Sequence, residues 1–509
     1  MNFPWLTVAL ALPLVGAVVV GAMPRRGELP KHIAFLFSLG TLLIVGVTAT
    51  RFHANVGGMQ LTEIHPWIPT FGAHYALGVN GIGLSLVLLT AILTPVVILA
   101  SWHDGDDGRW SMNAFFAWML ALEGLAIGVF SAIVVFLFYV LFEATLIPIY
   151  FLIGGYGGPK RSRAAVKFLI YSLVGGLLML ASVIGLYVVS SRTGNAPSYL
   201  LSDLSQLSMG TDLGRWLFLG FFVAFAIKAP MFPVHTWLPD TVDEATPGTS
   251  VLLVSILDKI GTFGMIRFGL GLFPEASRWA TPVVLVLAVV SILYGALLAI
   301  GQKSIPRLIG YTSISHFGFI VLGIFVLNPQ GGFGSVLYMF HHGLSTAALF
   351  LVGGYLIKRR GSKYIPDFGG VEKNAPVLAG FFLVAGLSAL ALPGLSPFIS
   401  EYLVMTGAFV YNWWYAAFAV LGIVLAAVYV LLMYQRTMTG PPRHETSGFK
   451  DLSAREILAI APVFALIIAL GFYPKPLLDA FNPAVDSYLS QPGLGMQTTT
   501  LGTSKENSQ

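Results

Sequence analysis

Apolar stretches of about 20 residues recur along the whole chain, near 3 to 22, 31 to 50, 78 to 101, 112 to 130, 132 to 153, 164 to 190, 216 to 236, 250 to 272, 279 to 300, 308 to 327, 333 to 357, 376 to 407, 411 to 436 and 455 to 473. Each can cross the roughly 30 Å hydrocarbon core of a bilayer as a helix. Inside hydrocarbon every backbone donor and acceptor must be met by the protein, so a chain of this kind is restricted to an all-α bundle that spans the membrane many times. About fourteen spans are expected. The fourth and fifth nearly touch at Ser131 and the twelfth is overlong and broken, which leaves the count open by one. Only 10% of the 509 residues are charged and 56% are hydrophobic, against roughly 25% charged in a soluble domain.

The first span runs into Met23-Pro24-Arg25-Arg26 with no basic segment before it and no small-residue cleavage site, so it reads as a retained helix and not a signal peptide. With odd spans running inward, roughly two-thirds of the lysines and arginines fall in the loops of one side, most densely at 154 to 163 and 358 to 373. That side is cytoplasmic by the positive-inside rule, and both termini then lie outside. Arg267 is counted with the few basic residues of the opposite side. The net charge of +5 is spread over loops and forms no nucleic-acid patch. The polar stretch after about 481 reads as a tail, disordered or draped over a neighbour. With no cysteine, disulfides and thiolate ligation of iron–sulfur clusters by this chain are excluded.

Against this background stand ionisable residues at membrane depth: Glu123, Glu143, Lys228, His235, Asp258, Lys259, His316, His341, His342 and Glu401. A charge there costs roughly 2.5–3.5 kcal/mol even on the mild insertion scale, so such residues mark ion paths or firm partnerships. Acids, imidazoles and amines are also the groups that burial and neighbours can bring to exchange protons near neutral pH. Arginine, which does not release its proton, is expected to stay out of the helix centres. Two of these charges sit in proline-broken segments, one from Lys228 through Pro230, Pro233 and His235 to Asp240, the other from Leu392 through Pro393 and Pro397 to Glu401. They fall five spans apart, in the seventh and twelfth. An odd-numbered repeat unit, spans four to eight and nine to thirteen, would invert one copy relative to the other, the pattern of a transporter ion path. Prolines alone often only kink a membrane helix; here both clusters carry a buried charge.

Lys228 is the most economical partner for Glu143, because each keeps the other charged and releases it when neutralised; a static salt bridge is the competing reading. Glu123 either hands protons to Glu143 or makes a polar contact inside the bundle. Lys259 and His316, flanked by small and hydroxyl residues that allow close packing and water, come next along the path. Successive helical residues point about 100° apart, so only one of His341 and His342 can face it. No HExxH, Walker A, dinucleotide-binding GxGxxG or nucleophile elbow is present, and Gly154 to Lys160 is a loop with a lysine and no phosphate cradle. No metal or cofactor site and no bond-making chemistry are expected in this chain.

The strings Phe142 to Pro148, Lys228 to Asp240, Arg307 to His316, His342 to Ser345 and Pro393 to Glu401 resemble the antiporter-like subunits of respiratory complex I, in their M-type branch, the counterpart of mitochondrial subunit four. The resemblance covers almost the whole chain. It implies fourteen helices with two inverted five-helix repeats containing broken helices 7 and 12, and a proton path along the midplane. The expected division is 1–111, 112–273 for the first repeat, 274–436 for the second, and 437–509. Glu143 and Lys228 match the charged pair of the first half-channel, Lys259 the central lysine, His316 and His342 the connecting histidines, and Glu401 the terminal acid. That leaves His341 to packing or an interface. The sister L and N subunits usually have lysine in place of Glu401, and the tail lacks the apolar material of the L subunit's lateral helix. Asp258 departs from the family, which often has an apolar residue there; Ser304 and Pro306 depart in a loop where relatives carry charges. The implied function is proton pumping driven by NADH oxidation and quinone reduction elsewhere. NADH, FMN, iron–sulfur clusters and quinone would belong to partner subunits, with L-like and N-like subunits and the lipid bilayer as neighbours. The alternatives are a subunit of an Mrp-type sodium/proton antiporter, or a structural spacer in which Glu143→Gln would leave proton transfer intact.

Overall fold

The computed structural model describes residues 3–24, 27–106, 108–192, 197–443, 446 and 448–494; Arg25, Arg26 and the tail from 495, including Lys505, lie outside the described residues. Two membrane-length helices open the chain, α1 (Trp5–Ala22) and α2 (Leu29–Thr50). A β-hairpin follows, β1 (Gln60–Ile68) paired antiparallel with β2 (Ala73–Val79), where the sequence reads as a plain loop. Alternating apolar and polar residues do not mark β1, which is largely exposed. The Glu63 carboxylate on this strand nevertheless accepts from the Leu6 and Thr7 amides at 2.8 and 3.1 Å. These are among the orphan donors of the first turn of α1, whose Pro4 provides no cap.

Next come α3 (Gly81–Ala100), capped by Asn80 accepting from the Gly83 amide, and α4 (Met112–Ser131), capped by Ser111. The chain then runs extended through 132–134, where Ala132 pairs with Leu77 and Val134 with Leu200. The fifth span is a helix broken before Pro148, α5 (Val135–Ala144) and α6 (Leu146–Tyr156), and the sixth is α7 (Arg161–Ser191). After the short α8 (Leu201–Leu204), α9 (Thr211–Lys228) stops at Ala229-Pro230 and the chain resumes as α10 (Trp237–Glu244).

The span from Pro247 to Leu270 is wholly buried and irregular. It consists of α11 (Pro247–Val251), a π-helical turn Leu252–Leu257, the six-residue α12 (Lys259–Gly264), and a second π-helical turn Met265–Leu270. Long helices follow: α13 (Pro274–Ile300), α14 (Ile305–Phe325) and α15 (Pro329–Arg360), buried throughout from Gly334 to Leu356. The second broken element is α16 (Pro376–Ala389) and α17 (Pro397–Tyr411), and α18 (Trp413–Met438) and α19 (Ala454–Phe472) complete the spans. Twelve helices among the described residues are long and apolar enough to cross a bilayer. The other two expected spans are the broken elements around Lys228 and before Glu401, each interrupted where the prolines stand.

The sequence reading of the tail is corrected at its start. Residues Lys475–Leu489 form α20, which lies across α3 and α15 and buries Phe481, Ala484, Val485, Tyr488 and Leu489. Its two prolines and scattered polar groups hide an amphipathic face. Close approach at Gly81 makes this docking possible, since a Cβ there would meet the Ala480 carbonyl oxygen at 1.8 Å. Gly81→Val is therefore expected to lift α20 off the bundle at a cost of about 1–3 kcal/mol, read as faster limited proteolysis near residue 480 in purified membranes.

Candidate functional site

The span 247–270 and α15, both buried through their membrane-length middles, carry the centre of the site. On α12 the Lys259 ammonium donates to the Val254 carbonyl at 2.7 Å and lies 2.6 Å from His342 Nδ1. Val254 belongs to the π-helical turn, whose widened geometry presents backbone that a regular α-turn would enclose. The Phe317 ring sits 4.9 Å from the ammonium, a buried cation–π contact. His342 Nε2 reaches the Thr346 hydroxyl one turn along α15 at 3.1 Å, and its ring centroid is 5.3 Å from that of His316 on α14. His316 Nδ1 in turn is 2.6 Å from the Tyr338 hydroxyl. Glu401 on α17 is buried within Coulombic range of Tyr338 and of Tyr429 on α18. Lys259, His342, His316, Tyr338 and Glu401 thus follow one another across α12, α15, α14 and α17.

On the other side of Lys259 the backbone is broken to admit Lys228, the last residue of α9. The break leaves helical groups without partners. The Trp237 indole donates to the Ile227 carbonyl at 3.0 Å, and the Phe232 amide donates to the Ser291 hydroxyl at 2.9 Å, meeting two of them. Lys228 Nζ is buried over the Phe142 and Phe168 rings, at 5.2 and 5.5 Å, and has no hydrogen-bond acceptor among the described residues. Glu143 is half-buried one residue before the end of α5, and its carboxylate occupies the space opposite Gly176, where a Cβ would stand 1.8 Å from Oε1. Glu143 and Lys228 are within Coulombic range, but they do not close to an ion pair of 4 Å or less among the described residues. The expected direct pair is therefore an open one, with Asp258 as a second charge acting on Lys228.

The remaining candidates fall elsewhere. Glu123 is buried in α4 with neither carboxylate oxygen hydrogen-bonded, and it does not come into charge contact with Glu143. His235 packs against Phe232 and Tyr294, with ring centroids 5.8 and 5.1 Å away, and senses Lys167 on the loop side. His341 turns from the line toward α17, where Nδ1 is 3.3 Å from the Ser400 hydroxyl. Among the described residues no cluster of three metal-ligating side chains forms. At the basic loop side, Asp240 takes Lys167 at 2.6 Å and Arg307 at 2.5 Å; burial opposes its charge, but these two donors hold its carboxyl below the usual carboxylate range. Ser304 donates to the Asp243 carboxylate and Pro306 stands in the first turn of α14, so both departures in that loop have local structural uses.

A family model described as "NADH:quinone oxidoreductase/Mrp antiporter, TM" matches residues 132–426, more than half of the chain. NADH-quinone oxidoreductase subunit M of Mycobacterium tuberculosis (strain ATCC 25618 / H37Rv) is 48% identical, the match covering 97% of this chain and 95% of that protein. The chain belongs to the NADH-quinone oxidoreductase subunit M family. A chain of the solved respiratory complex I from Thermus thermophilus with bound NADH superposes with a TM-score of 0.87 at 32% identity, covering 96% of this chain and all of that one. A chain of the Mrp complex from Dietzia sp. DQ12-45-1b gives 0.86 at 20% identity, over 96% and 98% of the two chains, and shares the fold.

Two groups of residues escape a reading by charge and proline. Tyr338 and Tyr429 look like ordinary aromatic core in sequence, and only their placement beside His316 and Glu401 marks them. Arg267, counted with the loop-side basic residues in the sequence reading, instead lies inside a span. It is fully buried in the second π-helical turn, donating to the Phe130 and Ala132 carbonyls at 3.3 and 2.9 Å where α4 gives way to extended chain. Those carbonyls have lost helical partners, and a planar five-donor group meets both. Arg267→Leu is expected to destabilise the protein by about 1–3 kcal/mol for each carbonyl left without a donor, measured as a lower thermal-unfolding midpoint of the purified assembly.

Proposed function

We propose that this chain conducts protons across the membrane as the M-type antiporter-like subunit of an NADH-quinone oxidoreductase, by a relay from Glu143 through Lys228, Lys259, His342 and His316 to Glu401. The continuous line of contacts from Lys259 to His342, and from His316 to Tyr338 beside Glu401, supports this reading. Amines, imidazoles, a phenol and carboxylates alternate along it, each able to accept a proton at one atom and pass it on from the same or another. The path lies inside the bundle, with loop-side ion pairs such as Lys363 with Asp243 and Arg359 with Glu456 closing the ends of α10, α15 and α19. The residues at 112–273 and 274–436 make the two half-channels, joined at Lys259.

Moving one charge against 100 mV costs about 2.3 kcal/mol, so the relay works only when coupled to an energy source. NADH oxidation and quinone reduction, with FMN and iron–sulfur clusters in partner subunits, supply it. L-like and N-like subunits flank this chain in a bacterial plasma membrane, with both termini outside. The complex I reading is preferred to an Mrp-type antiporter because similarity to the M subunits extends to 48% identity, whereas the Mrp likeness at 20% concerns the fold alone.

Lys228→Ala tests the relay. A positioned proton carrier contributes about 10²–10⁴-fold to its transfer step. In membrane vesicles whose complex still assembles on a native gel, proton translocation through this subunit is expected to be lost, with or without the coupled NADH oxidation. Unchanged pumping would make Lys228 a structural charge.

A further inference from the structure

The two lysines of the relay lie on different helices, α9 and α12, and no contact between them occurs among the described residues. Helix α12 presents two faces. Gly261 and Gly264 lie against α9: a Cβ at 261 would meet the Phe225 carbonyl oxygen at 2.5 Å and the Ala229 amide nitrogen at 2.6 Å, and one at 264 would meet the Phe225 ring at 2.4 Å. Lys259 and Thr262 face α15 instead, through His342 at 2.6 Å and the Met339 sulfur at 3.0 Å. Residues three apart share a helix face. Asp258, one turn before Gly261, therefore belongs to the face that packs on the end of α9, where Lys228 terminates the helix, while its chain neighbour Lys259 opens onto the second half of the bundle.

Asp258 is completely buried, and neither carboxylate oxygen has a hydrogen-bond donor among the described residues. A carboxylate with no donor and no charge partner at that depth would cost several kcal/mol. The charges within range of it are those of Lys259 and Lys228. No structural duty such as a helix cap or an ion pair of 4 Å or less occupies it among the described residues. A group so placed lies within charge range of both lysines and is hydrogen-bonded to neither.

We infer that Asp258 is the proton carrier that joins the two half-channels, taking a proton from Lys228 and delivering it to Lys259. The Lys228 ammonium transfers a proton to a carboxylate oxygen of Asp258, leaving a neutral amine and a neutral carboxylic acid. The acid then gives that proton to the neutral amine of Lys259, restoring the carboxylate and forming the ammonium that faces His342. The steps conserve charge, need no co-reactant and run in either direction. This rests on the relay proposed above, and it assigns to Asp258 a step for which the other relay residues provide no group.

The test compares Asp258→Asn, Asp258→Glu and Lys228→Ala in assembled complex reconstituted into proteoliposomes. Proton translocation is measured per NADH oxidised, alongside infrared difference spectra of each complex on NADH addition. Asn keeps the shape but cannot carry the proton, so Asp258→Asn should fall to the level of Lys228→Ala, while Asp258→Glu keeps most of the pumping. The wild-type spectrum should contain a protonated-carboxyl band that is lost in Asp258→Asn and shifted in Asp258→Glu. Wild-type pumping by Asp258→Asn, with Lys228→Ala impaired, overturns the inference and leaves the relay standing. Loss of pumping without any carboxyl band traceable to residue 258 also overturns it, because a fixed counter-ion for two lysines produces that result. Should Asp258→Asn fail to assemble, the band shift in Asp258→Glu decides alone: its absence overturns the assignment. Wild-type pumping by both Asp258→Asn and Lys228→Ala would bring down the relay itself.

Discussion

A lysine ammonium in the dry centre of a membrane bundle must be solvated by the protein, and a regular α-helix has no spare groups with which to do it. Lys259 shows how that constraint is met. One donor goes to the Val254 carbonyl in a π-helical turn and another direction is occupied by His342 at 2.6 Å. The irregular backbone from Leu252 to Leu270 is thus part of the site. The same demand recurs at Lys228, where α9 ends at the charge and the groups freed by the break are met by Trp237 and Ser291. Proline interrupts the helix; neighbouring helices repair the ladder; the charge remains.

Close packing by glycine lets these irregular pieces approach one another. Gly261 and Gly264 seat α12 on α9, and Gly176 leaves the space taken by the Glu143 carboxylate. A side chain at any of these positions would push apart the groups that the proposed relay brings near one another, and proton transfer falls away when donor and acceptor are displaced by an ångström. The proposed relay therefore depends on small residues that carry no charge. Hydroxyl and phenol groups do a related job in the second half, where Thr346 and Tyr338 fix the ring nitrogens of His342 and His316 to particular directions.

The helical architecture was legible because apolar stretches of membrane length leave no other fold, and the breaks were legible because proline next to a buried charge is costly unless used. The hairpin Gln60–Ile68 with Ala73–Val79 was not, since its role in capping α1 through Glu63 is a long-range contact with no local pattern. Helix α20 was missed for a similar reason: Pro483 and several polar residues suggest a tail, and only the facing surfaces of α3 and α15 give its buried edge a purpose. At the site, charge and type pointed to Glu143, Lys228, Lys259, His316, Glu401 and the His341–His342 pair, while Tyr338 and Arg267 depend on what they face. The 100° step between neighbours lets only one of His341 and His342 face the path, and the family resemblance pointed to His342; the rotation of α15 that brings it to Lys259 is not readable from one sequence.

Lys259→Arg examines the central claim most directly. Arginine retains the positive charge and the hydrogen-bond donors that a purely structural lysine would supply, but it does not release its proton. In complex that assembles normally on a native gel, a relay through Lys259 predicts loss of proton translocation coupled to NADH oxidation. Translocation at the wild-type level would contradict it and reduce Lys259 to a fixed charge holding α12 against α15.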